Sequence, residues 1–166
     1  MKISKFIGVL LLVTSGLPAL ASNWHFIATV TTDQSLFYFD ADSVVKERES
    51  VLVWIKAVRM HTPDKDGAWA SATRYKFNCK KRTRQYLSSS DYTQTGDFIK
   101  SYPQSGSEAE VVPDTVAEHF LSMSCAPDFP RSKSQKFSIK VPDNDIYAAT
   151  RRVVLGERLR SDEAPK

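Results

Sequence analysis

The sequence has few cysteines and histidines, and this scarcity excludes several kinds of site. Its two cysteines, Cys79 and Cys125, are too few for a thiolate metal site. The three histidines, His25, His61 and His119, do not show the spacing of metal ligands. No combination of acid, base and nucleophile stands out either. We therefore expect a non-enzymatic protein that uses no metal and no other cofactor.

Two polar runs contain side chains of the right type for a site but lack the required pattern. Ser88 to Asp91 carries hydroxyls and a carboxylate without a nucleophile elbow or a paired histidine. We expect these residues to be solvated at a strand end. Asp40 and Asp42 resemble half of a calcium loop, whose third ligand, glycine and distal glutamate are missing.

No apolar run approaches the roughly 20 residues that a membrane-spanning helix needs. The longest, Phe6 to Val13, follows two lysines and precedes the small-residue site Ala19 to Ala21. This order is typical of a secretory signal peptide, so we expect residues 1–21 to be cleaved. Because no cysteine precedes Cys79, the sequence predicts an exported protein without a lipid anchor. Its expected location is the periplasm, the medium or the cell surface.

The net charge of the chain is also small. The formal net charge is +4, and loss of Lys2 and Lys5 with the signal peptide, which contains no acid, lowers it to +2. A nearly neutral exported chain is a poor match for nucleic acid, so no nucleic-acid partner is expected. Cys79 and Cys125 most economically pair in an oxidising compartment, with two free buried thiols as the alternative.

Alternating apolar residues predict about six strands, and the short polar connections favour an antiparallel meander. The predicted strands are Trp24 to Val30, Leu36 to Asp40, Glu49 to Met60, Ala68 to Lys80, Gln85 to Tyr92 and Asp97 to Tyr102. In the fifth strand, Tyr86 and Ser88 are expected on one face and Leu87 on the other. The strand from Glu49 to Met60 is apolar on both faces, which indicates a central position.

A capping box predicts the main helix. The Thr115 hydroxyl should accept a hydrogen bond from the Glu118 amide, and the Glu118 carboxylate should reach back to the Thr115 amide. The helix then runs from Val116 to about Met123 and brings Cys125 toward the strand that holds Cys79. The predicted fold is α+β, an antiparallel sheet packed against this C-terminal helix and tied to it by a disulfide.

The sequence divides into a signal peptide, a core domain and an extension. The signal peptide covers residues 1–21, the domain 22–125 and the extension 126–166. In the extension, Lys136 to Val141 alternates like a short strand, and a further helix is predicted from about Asn144 to Leu159.

The densest basic run, RYKFNCKKRTR, extends from Arg74 to Arg84. Tyr75, Phe77 and Cys79 should face the core. The candidate binding residues fall on one opposite face if the alternation continues through any turn, and they are Arg74, Lys76, Lys80, Arg82 and Arg84. Such a face suits sulfated glycans, acidic segments of matrix proteins or anionic lipid headgroups. The alternative is that the charges only keep the sheet soluble and its edge unpaired.

With these features the chain resembles the surface-adhesin protein E family of Gram-negative bacteria between Ser22 and Cys125. The matching segments are Trp24, Phe37 to Asp40, Asp42-Ser43, Val53 to Lys56, Tyr75 to Cys79, Tyr86, Tyr92 to Gly96, Ser101, Pro113 to Thr115 and Cys125. The resemblance implies an antiparallel sheet packed on a helix, with the C-terminal cysteine tied to the sheet.

The resemblance also implies a function. The family's namesake is a surface protein that engages host matrix and plasma proteins such as vitronectin and laminin, and it can dimerise through its sheet. We therefore expect an exported binding protein that contacts host matrix proteins or acidic glycans, with a homodimer through the sheet. The alternative is a periplasmic structural or accessory protein that binds another envelope protein. The chain departs from the namesake in lacking a lipidation cysteine and in continuing for about 40 residues beyond Cys125.

Overall fold

The structure, a computed structural model, describes residues 22–30, 35–103, 106–130, 140–142, 146 and 150. Its elements are β1 (Asn23–Val30), β2 (Ser35–Asp40), a short 3₁₀ helix (Ala41–Ser43), β3 (Val45–Lys46), β4 (Ser50–Arg59), β5 (Ala70–Asn78), β6 (Thr83–Tyr92), β7 (Phe98–Tyr102), β8 (Ala109–Glu110), α1 (Val116–Ser124) and β9 (Lys140–Pro142). The predicted signal peptide, and the predicted terminal helix apart from residues 146 and 150, lie outside the described residues.

All of these strands join one antiparallel sheet in the order β7-β6-β5-β4-β2-β1-β9, with β3 added to β4 and β8 added to β6. The predicted meander is confirmed, because β1, β2 and β4 to β7 are neighbours in chain order. The predicted number of about six strands was too low. Eight strands precede α1 in the described residues and β9 follows it. The two-residue strands β3 and β8 are too short to show an alternating pattern.

One side of the sheet, the helix face, packs against α1. Phe39, Val53 and Phe77 point to this side and share a core with Phe120 and Leu121 of the helix. All five side chains are buried. Full burial of an apolar side chain of this size contributes roughly 1.5–3 kcal/mol, so this contact accounts for much of the attachment of α1 to the sheet.

The other side of the sheet, the opposite face, packs against the extension. Leu36, Tyr38 and Val58 form a second buried cluster with Ile146, whose side chain is 0% exposed. Since β4 contributes to both clusters, its predicted central position is confirmed. The described residues 146 and 150 are both helical and buried, and the extension therefore shares a core with the sheet.

A disulfide and a cap fix the two ends of α1. Cys79 and Cys125 are bonded with their Cα atoms 5.5 Å apart, as predicted. At the other end, Thr115 Oγ1 accepts from the Glu118 amide at 3.3 Å. The Glu118 carboxylate accepts from the Asp114 amide at 2.7 Å, so its predicted bond to the Thr115 amide was wrong. Asp114 has a left-handed backbone with φ of 60°, which places it in a turn directly before the cap.

Candidate functional site

The connection between β5 and β6 carries three consecutive cations, Lys80, Lys81 and Arg82, here called the basic turn. The Asn78 side-chain oxygen accepts from the amides of Lys80 at 3.1 Å and Lys81 at 2.9 Å. Arg82 has a left-handed φ of 54°, and its carbonyl accepts from the Val111 amide at 3.0 Å. Hydrogen bonds at both ends therefore fix the backbone that presents the three side chains.

The cations of the basic turn are exposed, and each has an acidic neighbour from a distant part of the chain. Their side chains are 76%, 63% and 55% exposed in sequence order. The ion pairs of this region are Lys76–Glu47 at 2.7 Å, Lys80–Glu49 at 3.2 Å, Lys81–Glu108 at 3.9 Å and Arg82–Glu118 at 2.5 Å. Exposed pairs contribute only about 0–1 kcal/mol each, so a polyanionic ligand can replace the glutamates.

The prediction that five cations share one face was wrong. Arg74 lies opposite Trp54 and Lys76 opposite Leu52, on the opposite face of the sheet. Arg84 lies opposite Phe77, on the helix face. The turn between Asn78 and Thr83 contains four residues, so next to the turn odd-numbered residues of β5 pair with even-numbered residues of β6, as Phe77 does with Arg84. Counting alternate residues through such a turn assigns Arg84 to the wrong side.

Two of the candidate residues remain without a carboxylate partner within the described part of the chain. Arg74 and Arg84 form no ion pair there, in contrast to Lys76, Lys80 and Arg82. Lys81, which the alternation argument left out of the candidates, belongs to the basic turn. Its position became apparent only with the turn, because strand periodicity does not apply to residues 79–82.

A β-bulge at Leu87 changes which side chains β6 presents. Arg74 pairs with Ser88 and Tyr75 pairs with Tyr86, which leaves Leu87 as an extra residue. Tyr86 and Ser88 therefore lie on different sides of the sheet, and the prediction that they share a face was wrong. The bulge places Ser89 and Asp91 on the helix face, the side on which Tyr86 also lies.

The run from Ser88 to Asp91 is not solvated as predicted, because Ser89 and Asp91 are each only 5% exposed. Asp91 Oδ1 accepts from the Ser71 hydroxyl at 2.7 Å, and Oδ2 accepts from the Tyr102 hydroxyl at 3.0 Å. No local sequence pattern indicates this network, because its members come from β5, β6 and β7. Register between strands, which a local pattern does not contain, brings them together.

Lys100 lies directly across from Asp91 in the sheet but pairs with another acid. Its ammonium group contacts Asp66 Oδ2 at 2.8 Å. This hydrogen bond raises the pKa of Lys100 and lowers the pKa of Asp66. The positive charge nearest to Asp91 along the sheet is therefore engaged elsewhere, and the Asp91 carboxylate is held by neutral hydroxyls.

Comparisons with known proteins match most of the sheet and α1. A family model described as Surface-adhesin protein E matches residues 24–126. No curated protein matches the chain. Among solved structures, crystal form II of Haemophilus influenzae protein E is 16% identical, with 61% of this chain and 87% of that chain covered and a TM-score of 0.44. Protein E from non-typeable Haemophilus influenzae is 17% identical, with 77% and 88% covered and a TM-score of 0.43. Within the described residues, no helix is both long and apolar enough to cross a membrane.

Proposed function

Because the chain belongs to the surface-adhesin protein E family, we propose that it is an exported binding protein that contacts host matrix proteins or acidic glycans through the basic turn. Family membership follows from the match over residues 24–126 and indicates an adhesin-like surface protein. The proposed mode of action is non-enzymatic, with binding carried by side-chain charge. A sulfated glycan and an acidic protein segment offer the same chemistry to this surface, namely closely spaced anionic groups.

The observation that carries the proposal is the presentation of three adjacent, exposed cations on a fixed backbone. Closely spaced charges act together on a ligand that carries several anionic groups, and they accelerate its association. The glutamates beside Lys80, Lys81 and Arg82 stand on other elements and belong to exposed pairs. They compete with a ligand without blocking it, because little free energy is lost when such a pair opens.

The remaining candidate residues extend the contact on both sides of the sheet. Arg74 and Lys76 continue from the basic turn along the opposite face, and Arg84 continues along the helix face. A flexible chain that crosses the turn therefore reaches cations on either side. We include all five originally predicted residues in the proposed surface, with the basic turn as its centre.

Binding to a heparin-type oligosaccharide tests the proposal. The double substitution Lys80→Glu and Arg82→Glu should weaken binding by about fivefold or more, and binding should fall as salt is raised. Lys65→Glu is a control at a distant site, since Lys65 is exposed and lies in the loop before the other end of β5, about 30 Å away. The pair Glu49→Gln and Glu108→Gln should strengthen binding, because it removes competing carboxylates. Equal affinity in all four proteins would remove the basic turn from the proposal.

Location and partner choice need a second experiment. Antibody labelling of intact cells and pull-down from envelope extracts separate an exposed adhesin from a periplasmic protein that binds another envelope component. The proposal requires surface labelling together with capture of the chain by immobilised matrix protein. Retention in the periplasm, with an envelope protein as the stable partner, would favour the accessory role instead.

The proposed homodimer forms through the edge strand β7 (Phe98–Tyr102). Phe98 is 61% exposed, and β7 is the last strand on its side of the sheet in the described part of the chain. An exposed edge with an apolar side chain favours strand pairing between copies. Sedimentation at several concentrations should show a dimer that Phe98→Lys dissociates. A concentration-independent monomer would contradict this part of the proposal.

A further inference from the structure

An open cleft of about 520 Å³ lies on the helix face, beside the region that α1 covers. Its lining residues are Ser71, Tyr86, Ser89, Asp91 and Tyr102, and we call it the polar cleft. The register places Ser71, Ser89 and Asp91 on the half of β5 and β6 that is farther from the basic turn, while Tyr86 lies two residues from Arg84 on the same face. The centre of the cleft, at Asp91, is therefore separate from the basic turn.

The centre of the polar cleft is a carboxylate in a fixed orientation. Asp91 is 5% exposed and accepts one hydrogen bond at each oxygen, from Ser71 at 2.7 Å and from Tyr102 at 3.0 Å. Each carboxylate oxygen can accept a second bond. No cation lies within ion-pair distance of Asp91 among the described residues, and Lys100, its cross-strand neighbour, is bonded to Asp66. The carboxylate is thus a preorganised acceptor for donors that enter the cleft.

The walls combine two phenol rings with hydroxyl groups. Tyr86 stands edge-on to Tyr75, with ring centroids 6.1 Å apart, and this contact limits its rotation. The Tyr102 ring has the Lys100 ammonium 5.0 Å from its centroid and its own hydroxyl on Asp91. The Ser89 hydroxyl bonds to the Ala72 carbonyl at 3.1 Å and keeps acceptor capacity. Aromatic faces beside fixed oxygen atoms are thus available to one ligand.

This composition favours one class of ligand. Anions are repelled by the Asp91 carboxylate, which forms no ion pair within the part of the chain that the structure describes. The hydroxyl protons of Ser71, Ser89 and Tyr102 are already donated, so these three oxygens offer only acceptor capacity. Tyr86 is the lining residue whose hydroxyl proton has no acceptor among the described residues. A lone ammonium or guanidinium group has donors only and would leave the Tyr86 proton unused. A sugar has hydroxyls that both donate and accept, together with polarised C–H groups that are attracted to the negative face of an aromatic ring. The volume also lies within the range of small-ligand sites.

We propose that the polar cleft binds a neutral saccharide unit, with Asp91 accepting from the sugar hydroxyls and Tyr86 stacking on the ring. The proposal does not depend on the basic turn. Binding at the polar cleft involves no net charge on the ligand and changes little with ionic strength. Binding of sulfated glycans at the basic turn falls with salt, so the two sites respond differently to the same variable.

Titration of the exported chain with neutral disaccharides, lactose and diacetylchitobiose, tests this inference. Concentrations up to about 20 mM detect millimolar affinities. The amide signals of Ser71, Ser89 and Asp91 in nitrogen–proton correlation spectra should shift, at low and at high salt alike. Asp91→Asn should weaken binding about tenfold, because a charged acceptor becomes a neutral one. Tyr86→Ala should abolish it, and Ser88→Ala, on the other side of β6, should have no effect.

Unchanged spectra elsewhere in the chain will show that each variant is folded. If Tyr86→Ala disturbs β6, Asp91→Asn still tests the proposal, because asparagine has the same shape as aspartate. The proposal is overturned if neither disaccharide shifts these signals. It is equally overturned if Asp91→Asn and Tyr86→Ala bind as the unaltered chain does. Salt-sensitive binding of arginine amide or lysine amide, without binding of sugars, would assign the cleft to a cationic side chain of a protein partner.

Discussion

The Tyr38 hydroxyl donates a hydrogen bond to Thr150 Oγ1 across 2.9 Å, although 112 residues separate them in the chain. The direction follows from the Thr150 hydroxyl, whose single proton is donated to the Ile146 carbonyl at 2.7 Å. Both side chains are buried. The bond therefore connects the second strand of the sheet with the extension inside a shared core, and it makes the extension important for stability.

Replacing Ile146 by alanine should destabilise the whole domain. Ile146 is 0% exposed and packs among Leu36, Tyr38 and Val58, so truncation leaves a cavity in the opposite-face cluster. We expect a loss of about 2–5 kcal/mol in the free energy of unfolding, measured by urea denaturation. Val45→Ala is the control, because Val45 is exposed and should change the value little. A loss in Ile146→Ala no larger than in the control would show that the extension does not stabilise the sheet.

Stability should fall at alkaline pH because of two buried tyrosines. Burial raises the pKa of Tyr38 and of Tyr75 above the ordinary value of 10.0. The unfolded chain then releases these protons first, so the stabilisation is complete below pH 10 and is lost as pH rises toward the folded pKa.

Tyr38→Phe isolates this effect. It removes the Tyr38 hydroxyl, so its unfolding free energy should fall less steeply than that of the unaltered chain above about pH 10. Lysines titrate in the same range but are common to both proteins, and their contribution cancels in the difference. Parallel curves between about pH 8 and pH 11 would contradict the assignment.

Loss of the disulfide should be costly. Cys79 and Cys125 close a loop with a sequence separation of 46, for which loop entropy gives about 4 kcal/mol at most. The double substitution Cys79→Ala and Cys125→Ala should lower the urea midpoint by a corresponding amount. The unaltered chain with reducing agent should behave like this variant, while the variant itself should not respond to reductant. Detection of two free thiols in the oxidised protein would disprove the bond.

The cap of α1 offers a smaller and more local test. Thr115→Ala removes the acceptor of the Glu118 amide and should cost about 1 kcal/mol. Thr62→Ala, in the exposed loop after β4, is the matched control for loss of a threonine hydroxyl. Amide exchange should accelerate in the first turn of α1 and leave β4 unchanged. An equal effect of both substitutions would mean that the cap contributes nothing specific.

Strand positions and the helix start followed from local patterns. Alternation in β4 and β5 identified Val53 and Phe77 as core residues, and both are buried. Thr115 with Glu118 identified the start of α1, although the carboxylate bonds to Asp114 instead of Thr115. These features depend on residues a few positions apart, and short-range periodicity and capping are visible in a sequence.

The candidate site was predicted less well because it depends on register. The glutamates beside the basic turn come from the β3–β4 connection, the segment before β8, and α1, so the run itself suggested more unpaired charge than the structure has. The polar cleft joins Ser71, Asp91 and Tyr102 from three strands. Which residues of neighbouring strands meet is set by turn length and by bulges, and neither is encoded in alternation within one strand.

The bulge at Leu87 also affects how relatives are to be compared. Ser89 and Asp91 share the helix face with Arg84 and Tyr86 only because one extra residue interrupts β6 between Tyr86 and Ser88. In a relative that lacks this extra residue, the residues that follow it in β6 would point to the opposite side of the sheet. An alignment that places the gap a few positions away would equate Arg84 or residues of the polar cleft with residues from the opposite face. Gap placement in β6 therefore decides whether conservation of either surface can be measured.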